Sequence, residues 1–179
     1  MLNTDDSLIL VIDIQDRLVN SLNKVTIINK SSVVLKAANI LKIPVIVTEQ
    51  YPRGLGNTIS QLKEILDENV DIVEKTSFNA IADKNLLDRI KSFNRKQILI
   101  MGIETHICVY QTALALLEQG FEVYAIKDAC ASREKYEFKQ GIYAMAQNGV
   151  KITCVEMALF EWLKDAKNPK FKEIQALIK

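Results

Sequence analysis

The chain has 179 residues, 49% of them hydrophobic, which is the size and apolar content of one domain with a core between helical layers. Its 23 basic and 22 acidic residues leave a formal charge of +1, which argues against a nucleic-acid or anionic-membrane partner chosen by bulk charge. No apolar run approaches the roughly 20 residues of a membrane span, and the N-terminus MLNTDDSLILVIDIQD carries acids where a signal peptide carries bases, so a cytoplasmic protein is expected.

In chain order, strand-like and helix-like runs alternate. LILVIDI (8–14) is apolar on both faces, as a central parallel strand must be when helices cover both sides of the sheet. Residues 25–41 repeat apolar side chains at helical spacing, and Pro44 stops that helix and opens the strand PVIVT. TEQYPRGLGNT (48–58) reads as a loop, with Gly54 and Gly56 supplying turn geometry, and a helix follows over 59–66. DIVEK (71–75) is a short strand, 76–82 a loop and 84–93 a helix. QILIMGI (97–103) is the strongest buried-strand signal, and 108–119 a helix apolar nearly all round, closed by Gly120. A strand at 122–129, a helix at 136–147, a strand at 151–155, a helix at 156–163 and a docked or mobile tail helix complete the series. Six strands separated by helices, without repeat or linker, predict an α/β fold: a single domain over 1–179 with a doubly wound, six-stranded parallel sheet and helices on both faces.

Such a sheet keeps its ligands at the carboxyl ends of its strands. Asp13, Lys75 and Cys108 all fall at that rim. Cys108 at a helix start would have unpaired N–H groups and the macrodipole favouring a thiolate, with a lysine ammonium adding to the effect. Each residue also has a plainer reading: a cysteine packed in the core, an aspartate capping a turn, a lysine at a solvated strand end. Position leaves both readings open. Cys130 and Cys154 read as core thiols, since three cysteines without CxxC spacing form neither a zinc ribbon nor a redox motif. A lone His106 cannot build a multi-histidine metal site and reads as a hydrogen-bonded structural residue. No GxGxxG follows the first strand and no P-loop occurs, so no cofactor is expected.

GIETHICVYQTALALLEQG (102–120) resembles the nucleophile motif of the isochorismatase-like cysteine hydrolases: Gly, two variable positions, Thr, two more, then Cys-Val. VIDIQDRL (11–18) resembles their first-strand motif and EKTSFNA (74–80) their lysine motif, in the same order. TEQYPRGLG, KDACASR and the tail NPKFKEIQALIK are similar to the subgroup of isochorismatase domain-containing protein 2 and the YcaC-like hydrolases. The resemblance implies a three-layer Rossmann-like fold, Cys108 as nucleophile, Asp13 as general base and Lys75 as electrostatic partner. It also implies an oxyanion hole from the backbone N–H groups of Glu104 and Cys108, behind a cis Ile103–Glu104 peptide bond. The implied reaction is C–N hydrolysis of a small amide through a thioester. Gln15, Arg17, Tyr51, Phe78 and Thr105 are candidate substrate contacts, and a homodimer or larger homo-oligomer is expected. The loop 48–58 lacks the histidines of metal-dependent nicotinamidases, so no metal is expected. Alternatives are vinyl ether hydrolysis, a catalytically silent interaction protein, nucleic-acid processing and a redox-responsive thiol.

Overall fold

The computed structural model describes residues 1–22 and 25–179. Six strands, β1 (Ser7–Ile12), β2 (Val45–Gln50), β3 (Asp71–Lys75), β4 (Gln97–Ile103), β5 (Glu122–Ala131) and β6 (Lys151–Thr153), form one sheet in the order β3-β2-β1-β4-β5-β6. Every pairing is parallel. The side chains dictate this order. β1 and β4 are buried along their whole length and take the centre, whereas β3 alternates and β6 is short and partly exposed, so they take the edges.

Helix α1 (Asp16–Asn20) follows β1 and precedes the long α2 (Val25–Leu41). The short α3 (Pro52–Leu55) and α4 (Ser60–Lys63) lie between β2 and β3, and α5 (Lys84–Ser92) leads into β4. Beyond β4 come α6 (Tyr110–Glu118), α7 (Lys135–Gln147), α8 (Val155–Leu163) and α9 (Phe171–Ala176). Helix α2 packs against α8, α9 and β5, while α6 and α7 pack against each other and against β5 and β6. Ile174 docks the tail helix in the core. Among the described residues no helix is long and apolar enough to cross a membrane.

Several elements depart from the sequence reading. The helix expected over 59–66 shortens to α4, because its last residues bond in mixed turns, with Ile65 and Leu66 N–H both returning to the Leu62 carbonyl. The loop 48–58 contains α3, opened by Tyr51 in the left-handed region at φ 39°. The helix expected to open at Cys108 begins earlier, with a π-helical turn over Thr105–Val109 that runs into α6. Cys108 therefore lies inside a turn and makes no helix start, which removes part of the macrodipole argument for a thiolate.

Two glycines set the approach of layers. Gly102 has φ +142°, and a Cβ there would lie 2.0 Å from the Ile12 carbonyl oxygen, so only glycine lets β4 meet β1 at its end. The β4–β5 register also shifts at this level, from Ile100↔Ala125 to Gly102↔Cys130. Gly141 brings α7 onto the π-helical turn, where a Cβ would stand 2.9 Å from His106 Cα.

Candidate active site

The strand order reverses direction between β1 and β4, and the carboxyl ends of these strands open a crevice at that switch point. Asp13 follows β1 directly, in the left-handed region at φ 52°, and its side chain is fully buried. Its Oδ1 accepts a 2.7 Å hydrogen bond from the Thr48 hydroxyl, and its Oδ2 accepts one of 2.6 Å from Lys75 Nζ. Lys75 is the last residue of β3, two strands away, and donates also to Gln50 Oε1 at 2.7 Å and to the Ser77 carbonyl at 3.2 Å. Three donors meet three acceptors, so the ammonium is fixed in place. Side chains of this pair are 1% and 0% exposed. Removing either partner alone would strand a buried charge, at a cost of about 3–5 kcal/mol.

Cys108 reaches the same point from the π-helical turn, after a cis Ile103–Glu104 peptide bond. Its thiol is pushed up to about 12, first by burial and then by the negative charge of Asp13. Lys75 and the Glu104 backbone N–H pull the other way and are outweighed. The resting sulfur is thus a thiol, against the thiolate expected from sequence. Burial and the adjacent carboxylate, both invisible as magnitudes in a linear chain, decide the sign.

The Glu104 side chain is buried beside this turn. Arg133 Nε donates to its Oε1 at 2.7 Å, and its Oε2 lies 3.5 Å from His106 Nδ1. His106 Nδ1 also meets the Ser132 hydroxyl at 3.0 Å, and its Nε2 lies 3.5 Å from Glu137. Glu104, His106 and Glu137 are close enough to raise the question of a metal. Each ring nitrogen faces a different carboxylate, and Arg133 already holds Glu104.

A cavity of about 390 Å³ opens onto Cys108, walled by Leu18, Leu55, Phe78 and Ile107 with Arg17, Glu104 and Arg133 around it. A larger cleft of about 590 Å³ lies on the other side of Lys75 and is lined by Tyr51, Arg53 and Glu74, but Cys108 does not reach it. The structure therefore sorts the candidate contacts. Arg17 and Phe78 line the Cys108 cavity, and Tyr51 lines the neighbouring cleft. Gln15 and Thr105 are both fully buried and line neither space. Gln15 spends its amide on the loop after β2, donating to the Gln50 and Gly56 carbonyls and accepting from Gln50 N–H. Thr105 is packed inside the π-helical turn with its hydroxyl unpartnered.

Sequence reasoning missed Thr48, Gln50, the Glu104 carboxylate and Arg133. Thr48 and Gln50 were legible in part, since a threonine and a glutamine at the end of a buried strand lie at the level of Asp13 in a parallel register, where Ile12 pairs with Thr48. Nothing in the spacing signals the Glu104–Arg133 pair, which links residues 29 apart.

The isochorismatase domain family profile matches residues 7–157. Isochorismatase family protein 1A of Dictyostelium discoideum is 38% identical over 98% of this chain and 87% of its own length. Isochorismatase domain-containing protein 2B of Mus musculus is 34% identical over 98% and 82% respectively. Among solved structures, one described as MAR1 ribonuclease from Caenorhabditis elegans superposes with a TM-score of 0.93 at 38% identity, covering 99% of this chain and 91% of that one.

Proposed function

The chain belongs to the isochorismatase family and carries its hydrolase fold, and from that premise we propose that it is a metal-independent cysteine hydrolase cleaving the C–N bond of a small amide. The observation that carries this reading is a single junction: the buried Asp13 carboxylate accepts from Lys75 Nζ at 2.6 Å, its charge acts on the Cys108 thiol, and the sulfur opens onto a cavity of small-molecule size.

A thiol held near 12 attacks only if its proton leaves as the bond forms. In the first step Cys108 Sγ adds to the amide carbonyl carbon while its proton passes to Asp13, and the carbonyl oxygen becomes an oxyanion. The backbone N–H groups of Glu104 and Cys108 stabilise that oxygen. Collapse breaks the C–N bond, Asp13 returns its proton to the leaving nitrogen, and a thioester remains on Cys108. Water then gives a proton to Asp13, adds to the thioester carbonyl and releases the acid, while the sulfur regains its proton. The net reaction is amide plus water to carboxylic acid plus amine. Lys75 supplies a fixed positive charge beside the changing one, where a metal would otherwise be needed.

Vinyl ether hydrolysis needs no nucleophile and leaves the Cys108 thiol beside Asp13 without a task. A silent interaction protein would gain nothing from a buried charge pair next to an open cavity. The similar Caenorhabditis elegans protein, described as a ribonuclease, raises a second reading, ribonuclease activity. A formal charge of +1 weighs against it, and the absence of salt-dependent RNA binding would remove it.

We take residues 1–179 as one domain, since α9 packs onto α2. Exposed Tyr51 and Phe78, at 56% and 54%, flank the two spaces and support a homo-oligomer in which a neighbouring subunit covers them. Three unpaired cysteines support a reducing, cytoplasmic setting. A hydrolysis screen over small amides, ureides and carbamoyl compounds tests the function. Turnover of one of them that disappears in Cys108→Ala is expected; turnover that survives the substitution overturns the proposal.

A further inference from the structure

Building on the cysteine-hydrolase reading, we infer that the Cys108 cavity selects amides bearing a carboxylate or similarly small anion a few bonds from the scissile carbonyl, with Arg17 and Arg133 as the anion-binding groups. Charge counting within the cavity comes first. Its lining carries two guanidinium groups, Arg17 and Arg133, and one carboxylate, Glu104. Behind the sulfur, Asp13 and Lys75 compensate each other at 2.6 Å. One positive charge is therefore left over, facing a space of about 390 Å³.

The two arginines differ in a way that suits recognition. Arg133 is held by Glu104 through Nε at 2.7 Å and through its own backbone N–H at 3.4 Å, while its side chain stays 56% exposed. That anchoring uses Nε and leaves the terminal nitrogens of a planar fork free, so the orientation cost of gripping a carboxylate is already met. Arg17 projects from α1 at the exposed rim and has no hydrogen bond or ion pair among the described residues. Beside the polar Ser21 and Gln50, the wall formed by Leu18, Leu55, Phe78 and Ile107 is apolar and fits the short hydrocarbon joining the two ends of such a substrate. A second cation would meet this surplus charge unfavourably, and a neutral amide would leave Arg17 unused.

Competitive alkylation of Cys108 by iodoacetate and iodoacetamide, read by mass spectrometry and normalised to the ratio for free cysteine, tests this without any turnover. Both reagents have the same leaving group, and only one is an anion. Iodoacetate should be favoured over the free-cysteine ratio by about five- to tenfold, with the preference shrinking in high salt. Arg17→Met and Arg133→Met should each remove most of it, and Arg17→Lys should retain part. Alkylation at the free-cysteine ratio, or a preference that both methionine variants keep, overturns the anion subsite and leaves the nucleophile standing. Absence of Cys108 alkylation by either reagent overturns both readings together.

Discussion

Cys108 and Cys130 are both buried thiols at the upper rim of the sheet, and both are pushed up to about 12 with burial as the first cause. Their surroundings differ. Cys130 pairs across the sheet with Gly102, has the Ile100 carbonyl 4.0 Å from its sulfur, and does not line the cavity onto which Cys108 opens. Cys108 lies in the field of both Asp13 and Lys75 and opens onto the cavity. The comparison separates acidity from reactivity: a depressed pKa is one route to a nucleophile, and a base waiting at the sulfur is another.

The largest effects should come from breaking what Cys108 has and Cys130 lacks. Asp13→Asn should lower kcat by about 10²–10⁴-fold, the range for a lost general base, as measured by initial rates on whichever amide is turned over. It also leaves Lys75 as a buried unpaired cation, so urea unfolding should show a loss of about 3–5 kcal/mol. In Asp13→Asn/Lys75→Met much of that stability should return while activity does not. Recovery of activity with stability would mean the pair serves only the fold.

A smaller effect is expected from Gly141→Ala. The added methyl meets the His106 and Thr105 backbone at 2.9–3.0 Å and must push the π-helical turn. Displacement of Cys108 by a fraction of an ångström should cost about tenfold in kcat, with only about 1–3 kcal/mol in stability. Wild-type rates in this variant would show that the turn tolerates a shift.

Alkylation of Cys108 in the free protein should rise about tenfold per pH unit from 7 to 10 without a plateau, because the thiol does not reach half-ionisation until about 12. Lys75→Met, which removes a lowering influence, should slow it further. A plateau near neutral pH would indicate a resting thiolate.

The smallest effect belongs to Cys130→Ala, which should change turnover less than about twofold, as expected away from the reacting groups. Its signature lies in stability. The folded thiol keeps its proton above the ordinary value of 9.0, up to about 12, while the unfolded thiol loses it. The folded state thus binds more protons in that window, and stability falls as pH rises through it. Cys130→Ala should flatten this alkaline decline in unfolding curves.

Much of the scaffold is written locally. The apolar runs of β1 and β4 read as central strands because burial on both faces leaves no alternation to imitate anything else. Asp13, Lys75 and Cys108 stand out for their position at strand ends, and the motif resemblance adds their order. Thr105 and Gln15 sit in those same motifs yet point into packing, since motif membership says nothing about which way a side chain faces. The Glu104–Arg133 pair and the Gly141 approach are products of α7 and the segment before it folding back over the π-helical turn, and contacts between distant segments leave no periodic trace. The sign of the Cys108 shift depends on desolvation, which exists only once the layers have closed.

The most direct test is to mix the protein with a turned-over amide, quench in acid within the first turnover, and weigh the chain. An acyl adduct on Cys108, absent from Cys108→Ala and accumulating before acid release, is the predicted result. Turnover with no adduct on Cys108, or an adduct that maps to another residue, would contradict the account.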